Sequence, residues 1–400
     1  MHIIVLEKYP SSQRGGQERS LVDVTRKLSQ RGHRVTLIYG SSGDLLPQYE
    51  AFCDRMISVK DFAIVRSWQS PFWFVADLWR VWHQLRSELG AKLGAKLGAE
   101  SRAESTIVYI NQPYDVPFAS ALSWLKNVPL VCHLRLPSPV RFGLQRRLTI
   151  IRVKQFIAVS AATRQGWTAR LKAPIAVVHN GVMPDGFARQ KSLSDLRSEW
   201  QLPQGDRVIG YVGRLDRMKG LGTLCKAFAK VLETHPQSQL VIAGKPLQDA
   251  VSYQTELEQL CVELGIHDRV RFLGHIDQAI EVFHLSDVSV VPSQWAEPCA
   301  RAIIESSMAG TPVVASRVGG NVELLTGEFS SGLFESRDVE DLAQVLQSRL
   351  NWRQDDPTLG DRIQDYAKQR FHLADKVDAI EQVLLQVAQP IPVEGDLYVA

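Results

Sequence analysis

No stretch of the 400-residue chain approaches the roughly 18 to 20 apolar residues that span a bilayer. Its start, Met1-His2-Ile3-Ile4-Val5-Leu6, lacks the basic lead, long apolar run and small-residue cleavage site of a secretory signal. These two absences set the expectation of a protein on the cytoplasmic side. Cysteine is sparse: Cys53, Cys132, Cys225, Cys261 and Cys299 include no C-x-x-C pair. That spacing argues against a disulfide framework or a zinc site and expects reduced, mostly buried thiols. No G-x-G-x-x-G follows the first apolar run, which argues against a dinucleotide-dependent dehydrogenase.

What the chain has is an ordinary soluble composition, 45% hydrophobic and 22% charged, with length for two or three domains. The net charge of +3 conceals a split. Residues 1–185 hold 25 Lys and Arg against 13 Asp and Glu, a balance of +12, and the remainder carries −9. Either the first half meets an anionic partner, such as a membrane surface, or a basic domain docks on an acidic one.

Short Val- and Ile-rich runs alternate with helix-length amphipathic stretches. Seven strand candidates run from His2–Leu6 to Ile175–Val178, and five from Val208–Val212 to Pro312–Ala315. This alternation predicts parallel sheets covered by helices on both faces. It occurs twice, with a loop-like break near Gly181–Arg189, so two Rossmann-like domains are expected, over 1–185 and 186–365. Open parallel sheets bind ligands beyond the carboxyl ends of their strands, and two facing sheets would share one cleft. Phe72, Val75, Trp79, Trp82 and Arg86 recur at helical spacing, and core packing is the preferred reading of that face over a membrane contact. A tandem Ala-Lys-Leu-Gly repeat at 91–98 reads as an exposed insertion. Arg141, Arg146, Arg147, Arg152 and Lys154, interleaved with Phe142, Leu144, Leu148, Ile150 and Ile151, form a basic amphipathic stretch suited to an anionic bilayer.

The chemistry-bearing residues sit at strand ends. Glu297 and Glu305 flank seven residues directly after the run Val288–Pro292. Ala300–Ala309 reads as helix, stopped by Gly310-Thr-Pro312, and eight residues of helical rise put the two carboxylates roughly 12 Å apart, which suits two ends of one elongated ligand. Gly213-Arg214-Leu-Asp-Arg-Met-Lys219-Gly220 offers two cations ahead of a helix, as a diphosphate requires. Gly319-Gly320, with Glu323 after it, and Gly15-Gly16, ahead of a helix over Gln17–Arg31, mark two further strand ends.

In these motifs the chain resembles the family 4 glycosyltransferases of the GT-B fold, and the resemblance covers nearly its whole length. It rests on Gly15-Gly16-Gln-Glu18, Gln30-Arg-Gly-His33, His179-Asn180-Gly181-Val182, Gly213–Gly220, the E-x7-E pair, Gly310-Thr-Pro and Gly319-Gly320-x-x-Glu323. The segment 366–400, with Arg370-Phe371 and an apolar period over Val377–Val387, is similar to the family's terminal helix crossing back to the first domain. The resemblance implies a nucleotide-sugar donor as substrate, a saccharide or lipid-linked acceptor, and no cofactor, metal or nucleic acid. It implies retention of anomeric configuration, in cell-envelope or exopolysaccharide synthesis. Arg214 and Lys219 would hold the leaving diphosphate, Glu297 the transferred sugar and Glu305 the ribose. Gly16, Gly213 and Gly319-Gly320 would border the phosphates, and His133 would lie near the sugar. Where the family often has Phe-Gly, this chain has Cys299-Ala300, with Arg301 beside it, which bears on the choice of sugar. No D-x-D occurs, so the divalent-metal clamp of the other glycosyltransferase fold is not expected. The rival readings are a catalytically silent nucleotide-sugar-binding protein and a GT-B-fold epimerase. The expected location is cytoplasmic, with peripheral contact at the inner face of the plasma membrane.

Overall fold

The structure is a computed structural model that describes residues 1–65, 67–95, 105–139, 141–246 and 251–388. Among them, thirteen strands form two wholly parallel sheets. The first contains β1 (His2–Glu7), β2 (Arg34–Tyr39), β3 (Arg55–Ser58), β4 (Thr106–Ile110), β5 (Leu130–Leu134), β6 (Gln155–Ala158) and β7 (Ile175–Val177) in the order 3-2-1-4-5-6-7. The second contains β8 (Arg207–Val212), β9 (Ser238–Ala243), β10 (Val270–Gly274), β11 (Val288–Val291), β12 (Val313–Ser316) and β13 (Leu333–Phe334) in the order 10-9-8-11-12-13. The twelve strands expected from the sequence are present to within two residues. The additional one, β13, is too short to carry a period.

Alternation along each strand explains the layering. Ile4 and Leu6 of β1 pack into one buried layer, while Ile3 and Val5 pack into the layer on the opposite face. Both faces are therefore covered, which accounts for strands that read as continuous apolar runs. The strand order reverses between β1 and β4 in the first sheet, and between β8 and β11 in the second. A doubly wound sheet opens a crevice at such a reversal.

The last described helix, Leu373–Ala388, buries Leu373, Val377, Ile380 and Leu384 in the first domain's core layer, at spacings of three and four. Its Glu381 receives Arg31 and His33, each at 2.5 Å. Val182 donates to the Phe371 carbonyl and accepts from Leu373 N–H, both at 3.0 Å, so the segment after β7 and the start of the returning helix are stitched together. Glu323 is a third link. Its carboxylate accepts from Ala161 and Ala162 N–H, both at 2.8 Å, at the start of the first-domain helix Ala161–Thr168, and lies 3.1 Å from His179 Nε2.

The Trp-rich helix, Ser70–Ala95, has the expected period but the opposite phase. Phe72, Val75 and Trp79 are 62 to 67% exposed, whereas Phe74, Leu78, Val81 and Leu85 pack on the core. The core-packing expectation for the aromatic face is thus corrected: two apolar stripes share one helix, and the less bulky one meets the sheet. Residues 96–98 of the tandem repeat and 389–400 of the tail lie outside the described residues. The cysteines are free thiols, with Cys53 half-buried and the other four buried.

Replacing Glu323 with Ala removes a carboxylate cap from one domain's helix and a tie between the two domains. The unfolding midpoint should fall by the equivalent of about 1–2 kcal/mol, read by thermal or urea denaturation. An unchanged midpoint would show that the tie carries no stability.

Candidate active site

The loops that follow β8 and β11 are locked together, and this brings Lys219 to Glu297. Asp216 caps the 3-10 turn Arg217–Lys219 by accepting Met218 N–H at 2.8 Å. Gln294 N–H, from the loop after β11, donates to the Met218 carbonyl at 2.7 Å. Gly220 has φ +74°, and a Cβ there would lie 1.9 Å from the Pro292 carbonyl oxygen. Only glycine fits both the backbone and the space. The two loops therefore close on each other, and Lys219 Nζ reaches Glu297 Oε2 at 2.8 Å.

That carboxylate oxygen is heavily engaged. Ser293 Oγ donates to it at 2.8 Å and Trp295 Nε1 at 2.7 Å. Glu297 is 7% exposed, so three donors compensate a nearly buried charge. Gly319 and Gly320 make the position possible from behind. A Cβ on Gly319 (φ +50°) would lie 2.3 Å from the Glu297 carbonyl, and Gly320 N–H donates to that carbonyl at 2.7 Å. The paired glycines expected to border phosphates thus support the Glu297 backbone directly.

Glu305 is placed differently from the helical estimate. The helix runs Arg301–Met308, so Glu297 lies in the loop ahead of it and the 12 Å rise does not apply. Glu305 Oε1 accepts from Arg301 Nε at 2.8 Å. Arg301 Nη1 then crosses to the first domain, donating to Asp23 Oδ2 and Ser20 Oγ, both at 3.0 Å. Its aliphatic stem lies under the Gly15-Gly16 loop, where a Cβ on Gly16 would sit 2.7 Å from Arg301 Cδ. Gly16 is therefore required by Arg301, a reason invisible in the sequence. Arg214, one-third exposed, lies 3.9 Å from Asp216. It also faces Glu18 of the first domain, whose carboxyl burial raises while Gln17, Arg14 and Arg214 act to lower it. At the ends of β8, β9 and β10, Gly213 N–H donates to Ala243 O at 3.0 Å and Gly244 N–H to Gly274 O at 2.7 Å.

The first domain contributes a buried polar cluster at its own sheet reversal. His133 is 1% exposed, and its Nδ1 accepts from Tyr109 Oη at 2.6 Å and Arg135 Nη2 at 3.3 Å. Two donors on Nδ1 assign the proton to Nε2, which is buried and has no hydrogen-bond partner. Burial, then the adjacent Arg135, push the imidazole's pKa well below its usual value, so the ring is neutral at neutral pH. Arg135 is itself buried and is held by Asn111 Oδ1 at 2.6 Å and Asn180 Oδ1 at 2.5 Å. Asn111 Nδ2 donates to Glu7 Oε2 at 3.2 Å, and Asn180 Nδ2 donates across to the Cys299 carbonyl at 3.0 Å. A hydrogen-bonded chain thus runs from the end of β1 to the loop carrying Glu297. Burial raises the Glu7 carboxyl well above its usual range, and Asp115 to about 7.

Sequence reasoning missed Glu7, Asn111, Asp115 and Arg135. A usable signal was present: each of Glu7, Asn111 and Arg135 is among the first polar residues where a buried strand ends.

Two family models match the chain: Glycosyltransferase Family 4 over residues 14–185, and Glycosyl transferases group 1 over residues 194–370. Among curated proteins, an uncharacterized glycosyltransferase of Methanocaldococcus jannaschii is 35% identical over 182 residues, 44% of this chain and 45% of that protein. A D-inositol 3-phosphate glycosyltransferase of Corynebacterium jeikeium is 36% identical over 178 residues, 43% of this chain and 42% of that protein. The chain thus spans less than half the length of these relatives. Anabaena HepE, solved with UDP and glucose, superposes with a TM-score of 0.79 at 22% identity, covering 96% of this chain and 100% of that one. A glycosyltransferase from Rickettsia africae gives 0.78 at 18% identity, covering 98% and 99%.

The Asp115 carboxyl supplies a pH test. Its folded pKa is raised, so it contributes most favourably below its unfolded value, near 4, and that contribution is lost as pH rises to about 7. Asp115→Asn should therefore change the melting temperature least at pH 4, near the unfolded pKa, and raise it clearly relative to the parent at pH 8. A variant equally affected at both pH values would contradict the assignment.

Proposed function

Because the chain belongs to the family 4 glycosyltransferases and has their two-domain GT-B fold, we propose that it moves a sugar from a nucleotide-sugar donor to an acceptor hydroxyl with retention of configuration. The observation that carries this reading is the Lys219–Glu297 pair between two strand-end loops, with Arg301 tying Glu305 to Asp23 of the first domain and Arg214 facing Glu18 across the domains. The solution of HepE with UDP and glucose supports a nucleotide-linked sugar as the donor class.

The step breaks the bond between the sugar's anomeric carbon and the diphosphate oxygen, and forms one to the acceptor oxygen. The acceptor's proton passes to the departing phosphate, and attack comes from the face that group leaves. Positive charge grows on the sugar ring and negative charge on the diphosphate. Lys219 uses one of its three N–H groups on Glu297, so the ammonium can hold a phosphate oxygen at the same time. Arg214 adds a planar donor to the same leaving group. Glu297, already oriented by Ser293 and Trp295, offers its other oxygen to the sugar's hydroxyls. Glu305 is the ribose-binding carboxylate, with Arg301 fixing its direction. Neutral His133 keeps a buried Nε2–H without a partner, a donor for a sugar hydroxyl once a ligand opens the cleft toward it. Gly16, Gly213, Gly319 and Gly320 keep the surrounding backbone close. The acceptor is a saccharide or lipid-linked saccharide of cell-envelope or exopolysaccharide synthesis, met by the first domain on the cytoplasmic side of the membrane.

Two measurements test this. Glu297→Gln should slow turnover while leaving nucleoside diphosphate affinity within about threefold, whereas Glu305→Gln should mainly weaken that affinity. Equal loss of affinity in both variants would overturn the assignment. Because cations take the place of a metal clamp, transfer should persist in excess EDTA. Complete loss that Mg²⁺ restores would overturn the metal-independent chemistry.

A further inference from the structure

The first domain carries an apolar and basic surface that none of the site chemistry uses. Of the 16 large hydrophobic side chains exposed among the described residues, 12 fall within 64–79, 124–125 and 144–151. These segments are far apart in sequence but adjacent in space. The helices Ser70–Ala95 and Leu144–Thr149 both pack against the helix Val116–Lys126, and Phe142 and Ile150, which flank Leu144–Thr149, join Leu78 and Phe118 in the core layer on one face of the first sheet. Trp68 is 87% exposed, Trp124 70%, Leu148 62% and Ile151 79%, so the outer surface of this layer is studded with aromatic and aliphatic groups. An exposed apolar patch of this extent marks an interaction site.

Charge identifies the partner. From Val116 through Pro184 the chain holds ten Lys and Arg and not one Asp or Glu. Arg141, Arg147 and Lys154 are exposed beside the apolar groups. The ion pairs between the basic first half and the rest use other residues: Arg31 and His33 with Glu381, His179 with Glu323, and Asp23 with Arg301. Among the described residues, no ion pair joins Arg141–Lys154 to the acidic second domain. Docking of that stretch on the acidic domain therefore does not explain its charge. Arg146 is set apart, being half-buried and stacked on Tyr114 with its Nε buried. It belongs to the fold and not to the surface.

We infer that the outer face of these three helices lies on an anionic lipid bilayer, with Trp68, Phe72, Trp79 and Trp124 at the headgroup level and Arg141, Arg147 and Lys154 against the lipid charge. Tryptophan favours that level because its ring is amphipathic, and each nearby cation strengthens adhesion to anionic lipid. All three helices follow the carboxyl ends of parallel strands, β3, β4 and β5, which is the edge of the sheet where the crevice opens. A bilayer against them borders the mouth of the cleft. That the bilayer delivers a lipid-anchored acceptor rests on the glycosyltransferase reading; the docking face itself does not.

Flotation with phosphatidylcholine vesicles, with and without about one-third phosphatidylglycerol, tests the surface. The protein should float with the anionic vesicles at low salt, stay unbound with phosphatidylcholine alone, and dissociate as salt approaches 1 M. The triple variant Arg141→Glu, Arg147→Glu, Lys154→Glu should partition at least roughly 100-fold more weakly. Vesicles should blue-shift tryptophan emission in the parent, and far less in Trp68→Ser, Trp79→Ser, Trp124→Ser. Unchanged melting temperatures would establish that both variants fold. A parent that remains unbound at low salt, or a folded charge variant that floats equally well, overturns the docking face. Binding of nucleotide-sugars, followed by thermal shift without vesicles, reports separately on the glycosyltransferase reading.

Discussion

The pairing of Lys219 with Glu297 sets the terms for the cleft. An ammonium and a carboxylate are brought to 2.8 Å from residues 78 apart in sequence, both largely shielded from water. Removing one partner from a buried pair leaves a charge uncompensated, commonly at about 3–5 kcal/mol. Here Ser293 and Trp295 remain on the same carboxylate oxygen, so Glu297 is not stranded if Lys219 moves. The arrangement can therefore hold the two loops together and still lend its cation to an incoming anion. Gly220 and Gly319 serve that pairing, since each makes room for a backbone carbonyl, of Pro292 and of Glu297, in the loop after β11.

Around this pair, polar ties connect the domains. Arg301 joins Glu305 to Asp23, Asn180 joins Arg135 to the Cys299 carbonyl, and Glu323 caps a helix of the other domain. None is a large apolar interface. Ties of this kind keep the sheet reversals facing each other and can adjust when a ligand enters, whereas the continuous apolar packing of the helix Leu373–Ala388 fixes the domains from behind.

Much of this was legible from residues alone, for definite reasons. Buried parallel strands are continuous Val and Ile runs, so twelve strands and the two-sheet organisation followed from composition and spacing. The strand-end motifs located Lys219, Glu297 and Glu305 because cleft residues must follow strands. Phase was harder. Ser70–Ala95 carries two apolar stripes of the same period, and only packing decides that Phe74 and Leu78 go inward while Phe72 and Trp79 stay out. Long-range partners were invisible: Gly16 reads as a phosphate-loop glycine until Arg301, 285 residues on, is found occupying its side-chain space. Glu7 and Arg135 each stand where a buried strand ends, but their meaning comes from long-range partners, Asn111 linking the two and Asn180 carrying Arg135 on to the Cys299 carbonyl.

The Lys219–Glu297 pair, on the reading proposed above, is the place where a diphosphate binds, and a crystal structure with a bound nucleoside diphosphate checks this at the atoms concerned. A phosphate oxygen should lie within hydrogen-bonding distance of Lys219 Nζ, with the ribose hydroxyls on Glu305. A nucleotide bound with its phosphates away from Lys219, and its ribose away from Glu305, would contradict it.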